Sequence, residues 1–237
     1  MHKPTLVLIP GTLCDARMFE RQARALRRQV HLQYVTYRRI DWQGDWAAQL
    51  LKQLPDRFAL AGFSLGGLVA LALLRLAPER IERLALIASN AEPAGSTAQR
   101  RSAHLHRLWL ASGPQAVSRQ TKPAYFHYFS RRHQHADLLF DMALKTPRRA
   151  ALGEFAWAAS RPAAYRELAA FSGPILIVSG ARDRLCPPAL QQRMVVAQPK
   201  ARWCEIQRCG HFVPLEAPGQ LNDALRFWLN EPICTAR

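Results

Sequence analysis

FALAGFSLGGLVALALL, residues 58–74, sets one serine between two apolar runs. The run before the serine predicts a buried strand, and the leucine-rich run after it predicts a buried helix. At the junction, Gly62, Ser64 and Gly66 match G-x-S-x-G, in which a sharp strand-to-helix turn exposes a serine nucleophile. Such a turn holds the serine in a sparsely populated backbone conformation, and glycines remove side chains that would collide across it. Ser64 is therefore the candidate nucleophile, with a bystander serine in a glycine-rich turn as the alternative.

A nucleophilic serine needs a base that accepts its proton and an acid that orients the base. Candidates follow two later predicted strands, at 174–180 and 201–206, where Asp183 and His211 stand. Because open parallel sheets place their sites at the carboxyl ends of strands, both side chains are expected to approach Ser64. Taken singly, the aspartate is more often a solvated turn residue and the histidine a surface residue. Their joint arrangement favours catalysis.

The order of predicted elements indicates the fold class. A first strand is expected at 6–9, a first helix at 15–28 and a second strand at 32–37. Strands and helices continue to alternate, which indicates an α/β protein with a mostly parallel, doubly wound sheet and helices on both faces.

One segment is too long to be a crossover between neighbouring strands. More than eighty residues separate the strand predicted to end at residue 88 from the strand that begins at residue 174. Helix-like stretches broken by glycine and proline fill this segment, which predicts a helical cap insertion over the serine. The expected organisation is a core of residues 1–89 and 172–237 with a cap of residues 90–171.

Five segments resemble the α/β hydrolases, in particular the small esterase and lactonase group, over essentially the whole chain. They are LVLIPGT (6–12), GFSLGGLVA (62–70), APERIERLALIAS (77–89), GARDRLCPP (180–188) and GHFVPLEAP (210–218). The resemblance implies the α/β-hydrolase fold. It also implies a catalytic triad of Ser64, His211 and Asp183, with an oxyanion hole formed by the backbone N–H groups of Thr12 and Leu65.

Two points of the implied site stay open. Many relatives have His-Gly after the first strand, whereas in this chain a proline precedes Gly11, so either the Thr12 or the Leu13 amide completes the oxyanion hole. In some relatives the acid follows an earlier strand, where this chain has Asn90 and Glu92.

Substrate contacts are expected from apolar side chains near the serine and in the cap: Leu13, Phe126, Phe129, Trp157 and Phe212. Other cap aromatics are also candidates to line an acyl pocket: Trp109, Tyr125, Tyr128, Phe140 and Phe155. For most of these aromatic residues, ordinary packing within the cap is the stronger alternative.

The charge is strongly basic, with a formal net charge of +16 and an isoelectric point near 10.8. Of the 33 basic residues 28 are arginine, and they spread along the whole chain without a nucleic-acid motif, so no nucleic-acid partner is predicted. Residues 90–166 carry twelve basic and four acidic residues. That excess would suit an acidic acyl carrier or a coenzyme A ester, but a solvated basic surface is the favoured interpretation.

No cofactor or metal is predicted. The chain has no dinucleotide fingerprint and no P-loop, and its close histidine pairs, 104/106 and 133/135, lack the further ligands of a zinc site. Five cysteines without a C-x-x-C pair predict reduced thiols and a cytoplasmic location. The apolar runs are strand-sized, so no membrane span is expected.

The predicted function is a serine hydrolase that cleaves the carboxylic ester of a small molecule through an acyl-enzyme intermediate. Thioesterase, lactonase and C–C hydrolase or lyase activities, including action on an acyl-carrier-bound ester, are alternatives on the same scaffold. A non-catalytic binding protein is the alternative from a different class. The sequence does not specify the acyl group or the oligomeric state.

Overall fold

Six strands form the sheet that positions the candidate residues. The computed structural model describes residues 3–127 and 129–233, without side-chain detail for 129–133. The strands are β1 (Thr5–Ile9), β2 (His31–Tyr34), β3 (Phe58–Phe63), β4 (Ile81–Ile87), β5 (Ile175–Gly180) and β6 (Arg202–Ile206). Their order is β2-β1-β3-β4-β5-β6, and every neighbouring pair is parallel.

Helices connect these strands, and several of them make up the long segment between β4 and β5. In chain order they are α1 (Glu20–Leu26), α2 (Trp46–Leu51), α3 (Leu65–Leu76), α4 (Ser96–Thr121), α5 (Phe129–Leu144), α6 (Arg148–Ser160), α7 (Tyr165–Ala170), α8 (Pro188–Ala197), α9 (Val213–Glu216) and α10 (Pro218–Asn230). Short 3₁₀ turns stand between several of them.

The sheet is buried on both faces, which explains the near-continuous apolar runs of its strands. Successive side chains point to opposite faces, so Leu60 packs in one layer with Val69 of α3, and Ala61 packs in the other with Leu225 of α10. Every residue of β3 is buried. The predicted doubly wound parallel sheet with helices on both faces is confirmed.

Helices α4 to α7 form the insertion between β4 and β5. Gly113 has a φ of 73° and interrupts the helical geometry of α4 directly before Pro114. The insertion has a small apolar cluster in which Trp109 and Phe155 pack with Leu13, a residue of the loop after β1. The insertion is therefore joined to the sheet at the loop beside the candidate nucleophile.

Two predicted elements differ in extent from the observed ones. The helix expected at 15–28 begins as a 3₁₀ turn at Ala16–Phe19 and continues as the shorter α1, because Asp15 accepts the N–H of Arg17 and tightens the first turn. The strand expected at 32–37 ends at Tyr34, and the buried Tyr37 donates its hydroxyl to the Pro10 carbonyl at 2.6 Å. This bond ties the segment that follows β2 to the loop after β1.

No helix in the described part of the chain is both long and apolar enough to cross a membrane. Within residues 3–127 and 129–233, no disulfide joins the cysteines at 14, 186, 204 and 209. Cys234 lies outside the described residues.

Candidate active site

Ser64 occupies the turn between β3 and α3 with φ 54° and ψ −115°. A left-handed backbone is costly for a residue with a Cβ, on the order of 1–3 kcal/mol. The surrounding contacts leave little freedom, because Ser64 N–H donates to the Ile87 carbonyl at 2.8 Å. A Cβ added to Gly62 would lie 2.2 Å from the Gly66 carbonyl oxygen, so only glycine fits there. The turn predicted from G-x-S-x-G is present.

Ser64, His211 and Asp183 form a continuous hydrogen-bonded chain. His211 Nδ1 lies 2.8 Å from Asp183 Oδ2, and His211 Nε2 lies 2.9 Å from Ser64 Oγ. A carboxylate oxygen accepts, so Nδ1 carries the proton, and Nε2 is then free to accept the hydroxyl hydrogen of the serine. The histidine and aspartate side chains are almost completely shielded from solvent, with 2% and 0% exposure.

Backbone donors hold the two partners of the serine in place. Asp183 Oδ1 accepts the N–H groups of Leu185 and Cys186, each at 2.8 Å. His211 N–H donates to the carbonyl of Tyr125 at 2.8 Å, which links the loop after β6 to the insertion. The Asp183 carboxylate is therefore fixed by two short bonds from backbone N–H groups, and the backbone of His211 is fixed by a short bond to the insertion.

The alternative acid, Glu92, makes different contacts. Its Oε1 accepts from Arg193 at 2.7 Å and from the Tyr165 hydroxyl at 2.8 Å. The Arg193 hydrogen bond lowers the pKa of this carboxyl. Asn90 Oδ1 accepts the N–H of Glu92 at 3.0 Å. The imidazole of His211 is bonded to Asp183 instead.

The backbone N–H groups of Thr12 and Leu65 lie near Ser64 and have no hydrogen-bond acceptor within the described residues. Leu65 begins α3, where the first N–H groups have no partner within the helix. Thr12 follows Gly11, whose backbone is so near that an added Cβ would lie 3.3 Å from Ser64 Cβ. Leu13 N–H, the other candidate donor, is already bonded to Glu154 Oε2 at 2.8 Å.

Glu154 and Lys122 are site neighbours that the sequence patterns did not reveal. Glu154 is 1% exposed in α6, and burial raises the pKa of its carboxyl to about 8. Lys122 is 6% exposed, and its Nζ donates to the Leu13 carbonyl at 3.1 Å. A single acid within the apolar stretch ALGEFAWAA (151–159) was the one local signal.

Two cavities meet at Ser64, with volumes of about 390 Å3 and about 50 Å3. Thr12 from the core and Arg101 and Phe155 from the insertion line both. The larger cavity also contacts Glu154, whereas the smaller one lies against the imidazole of His211 and is lined mainly by apolar side chains. The two cavities beside Ser64 therefore differ widely in the room that they offer to a substrate group.

The five predicted substrate contacts have different positions. Leu13 and Phe212 line the smaller cavity. Phe126 stacks on Phe212 with ring centroids 4.6 Å apart and lines neither cavity at Ser64. Phe126 therefore packs behind a lining residue, and its contact with substrate stays a prediction. The side chain of Phe129 lies outside the described residues.

Trp157 lines neither cavity at Ser64, and its contact with substrate also stays a prediction. Its ring lies 5.5 Å from that of Trp42 and 5.1 Å from that of Trp46, in an aromatic cluster between α6 and the core. The side of α6 that borders the larger cavity carries Phe155 and Ala158 instead. Of the other predicted cap aromatics with described side chains, Tyr125 and Phe155 line a cavity at Ser64, and Trp109 and Phe140 line neither.

One group of metal-ligating atoms occurs in the described part of the chain. Atoms of Asp183, Cys186 and His211 lie within 4.8 Å of one another. The imidazole is already hydrogen-bonded on both nitrogens, and burial raises the pKa of the Cys186 thiol to about 12. Because metals bind thiolate rather than thiol, the hydrogen-bonded chain accounts for this group better than a metal does. The absence of a metal stays a prediction.

Comparison with known sequences shows the family of the chain. Residues 6–224 match the sequence profile of the alpha/beta hydrolase family, and the chain belongs to that family. It is similar to the pimeloyl-[acyl-carrier protein] methyl ester esterase of Aromatoleum aromaticum, with 30% identity over 194 residues that span 73% of this chain and 74% of that protein. The predicted resemblance is confirmed.

Solved structures share the fold at lower identity. An esterase from Thermogutta terrifontis, determined with malate bound, has a TM-score of 0.83 and 24% identity, covering 95% of this chain and 89% of that one. The enol-lactonase from Burkholderia xenovorans LB400 has a TM-score of 0.83 and 21% identity, covering 98% and 93%. At these identities the likeness shows the α/β-hydrolase fold.

Proposed function

We propose that this α/β hydrolase cleaves a carboxylic ester with Ser64 as nucleophile, through an acyl-enzyme intermediate. The hydrogen-bonded chain from Ser64 Oγ through His211 to Asp183 is the observation that carries the proposal. A non-catalytic binding protein has no need for a base and an acid aligned on a partly buried serine hydroxyl. Residues 90–171, which contribute to both cavities at the serine, would act as the cap.

In the first step, Ser64 Oγ attacks the ester carbonyl while His211 Nε2 accepts the hydroxyl proton. Asp183 keeps the imidazole in the tautomer that accepts at Nε2 and stabilises the imidazolium that forms. The carbonyl carbon becomes tetrahedral, and its oxygen gains a negative charge that the N–H groups of Thr12 and Leu65 would bind. Losing one such donor typically costs about 10²–10³ in kcat.

To complete the first half of the cycle, His211 protonates the leaving alcohol as the bond between the carbonyl carbon and the alcohol oxygen breaks. The acyl group then stays esterified to Ser64. Water enters, and His211 accepts its proton as the water oxygen attacks the acyl carbonyl. The imidazolium then returns this proton to Ser64 Oγ as the bond from the acyl carbon to Ser64 Oγ breaks, which releases the acid and restores the serine. One base thus serves both steps because the leaving group and the water use the same position.

Labelling with a fluorophosphonate tests the nucleophile directly. We expect the folded protein to gain one covalent adduct, with the modified peptide containing Ser64, because only a serine activated by a base reacts rapidly. Protein unfolded in guanidinium is the control and should not react. Absence of an adduct on folded protein would favour the binding-protein alternative.

Thioesterase, lactonase and C–C hydrolase or lyase activities use comparable sites, so the reacting bond has to be measured. Kinetics with a matched set of an ester, a thioester and a lactone of the same acyl group would rank them. We expect the largest kcat/KM for the ester.

A carrier-bound or coenzyme A ester is the second candidate substrate. Arg101, Arg161 and Arg193 line the larger cavity, and Arg193 is paired with Glu92. Arg101 has neither a hydrogen bond nor an ion pair to any described side chain or backbone group, so its charge is available to an anionic substrate. The similarity to an esterase whose name specifies an acyl-carrier substrate supports the same candidate.

The dependence of kcat/KM on salt distinguishes a carrier-bound ester from a small-molecule ester as the substrate. Exposed charges more than about 8 Å apart are largely screened at 0.15 M salt, so docking of an acidic carrier would weaken steeply as salt rises. A neutral p-nitrophenyl ester is the control substrate. We expect an equally weak salt response for both substrates, because the arginine excess extends over the whole chain rather than the insertion alone.

The opposite result would establish the carrier. It would be a steep fall in kcat/KM with salt for the carrier ester only, together with a raised KM in a charge-reversed variant of the insertion. Arg148→Glu combined with Arg149→Glu suits this purpose, although Arg149 also pairs with Asp41 at 3.0 Å. Arg131 and Arg132 belong to the same basic segment, but their side chains lie outside the described ones.

A further inference from the structure

Two buried polar side chains of the insertion reach the same residue of the core. Glu154 Oε2 accepts the N–H of Leu13 at 2.8 Å, and Lys122 Nζ donates to the Leu13 carbonyl at 3.1 Å. Glu154 lies 141 residues and Lys122 lies 109 residues along the chain from Leu13. Buried polar groups are costly unless bonded, so these contacts to one backbone unit are part of how the site is built.

Leu13 needs such contacts because its backbone is in an unfavourable conformation. Its φ is 54°, in the left-handed region that leucine rarely adopts. It stands inside a tight turn closed by the Cys14 N–H and the Gly11 carbonyl at 3.1 Å. Thr12, whose N–H faces no acceptor, is the residue before it in the same turn. Relaxation of Leu13 would therefore displace the Thr12 amide.

The hydrogen bond from the Leu13 N–H to Glu154 depends on the protonation state of the Glu154 carboxyl. Burial raises the pKa of its carboxyl to about 8, against the opposing effects of the Leu13 N–H and of Lys122. Cys14 and Tyr37 are the other titratable groups that interact with it. At pH 7 the carboxyl is mostly neutral, and a neutral carboxylic acid accepts a hydrogen bond through its carbonyl oxygen as a carboxamide does.

We propose that Glu154 is a positioning residue for the oxyanion hole: it holds the N–H of Leu13 and thereby leaves the N–H of Thr12 as the donor to the substrate. Lys122 assists by holding the carbonyl on the other side of Leu13. This inference rests on the proposed hydrolase function. It assigns the oxyanion donor to Thr12 rather than Leu13, and it makes the oxyanion hole depend on the insertion being seated on the core.

The test compares Glu154→Ala with Glu154→Gln at pH 7 on a short-chain p-nitrophenyl ester. We expect Glu154→Ala to lower kcat by about tenfold to a hundredfold, somewhat less than the removal of an oxyanion donor, with KM changed less than about threefold. Glu154→Gln keeps an acceptor of the same shape and should retain kcat within about threefold of the parent enzyme.

Inhibition by a transition-state analogue is a measurement that a general loss of protein stability would not change. A trifluoromethyl ketone forms a tetrahedral adduct whose oxyanion occupies the hole, so its inhibition constant should rise in Glu154→Ala in proportion to the loss of kcat. Gln198→Ala is the matched control. Gln198 is also buried and donates to three backbone carbonyls at 3.1 Å, but between α7 and α8, so kcat should not change.

The kcat values of the variants show whether Glu154 positions the oxyanion hole. A parent-like kcat in Glu154→Ala, or a loss in Glu154→Gln as large as in Glu154→Ala, would overturn it. If Glu154→Ala does not fold, Lys122→Met decides: a severalfold loss of kcat at constant KM supports the inference, and an unchanged kcat overturns it. Failure of the hydrolase proposal is distinguishable, because the parent protein would then not be labelled at Ser64 by the fluorophosphonate.

Discussion

Ser64→Ala abolishes ester hydrolysis in practice: we expect kcat to fall by about 10⁴-fold or more while the protein stays folded. Alanine removes the only atom that forms the acyl bond and leaves the backbone of the turn unchanged. The measurement is the hydrolysis of a short-chain p-nitrophenyl ester, with circular dichroism and thermal unfolding to compare the folds.

Ser160→Ala is the matched control for this variant. Ser160 is an exposed serine at the end of α6 whose hydroxyl bonds only to helix carbonyls. It should keep parent kcat and should still take up the fluorophosphonate. Parent-like turnover in Ser64→Ala would assign the chemistry to another residue and refute the proposed mechanism.

Asp183→Asn is expected to lower kcat by about 10⁴-fold, by analogy with the same substitution in the serine proteases. An asparagine amide that donates toward Nδ1 favours the tautomer with the proton on Nε2, which cannot accept the proton of Ser64. The N–H groups of Leu185 and Cys186 retain an acceptor in the carboxamide oxygen, so the loop should keep its conformation.

Comparison with Glu92→Gln decides which of the two acids orients His211. Glu92 bonds Arg193 and Tyr165, so the substitution should change kcat by less than about threefold and cost little stability, as for other partly exposed ion pairs. A severe loss in Glu92→Gln together with a mild effect of Asp183→Asn would transfer the role to Glu92.

The backbone segments around the proposed site are packed too closely for side chains at two further glycines. An added Cβ on Gly66 would lie 2.1 Å from the Ile9 carbonyl oxygen, and one on Gly67 would lie 2.4 Å from Ser89 Oγ. These contacts press the start of α3 against the ends of β1 and β4. The Leu65 N–H is thereby held beside Ser64 before any substrate arrives, which is the preorganisation that oxyanion binding requires.

Local sequence was sufficient for the parts of the site that depend on neighbours in the chain. The turn around Ser64 is determined by the steric needs of Gly62 and Gly66, and apolar runs of strand length predicted the central strands. Asp183 and His211 were found because parallel strands bring their carboxyl ends to one edge of the sheet. The turn and the strands were predicted from patterns of a few residues, and the approach of Asp183 and His211 required in addition the general rule for parallel sheets.

Only the tertiary structure decided which side chains face the serine from the insertion. Each helical residue turns about 100° from the last, so the pattern of α6 alone could not tell that Phe155 would border the cavity and Trp157 would pack against Trp42. The bond from Glu154 to Leu13 joins residues 141 positions apart. Such contacts depend on how the insertion docks on the core, a property of packed surfaces that no local pattern encodes.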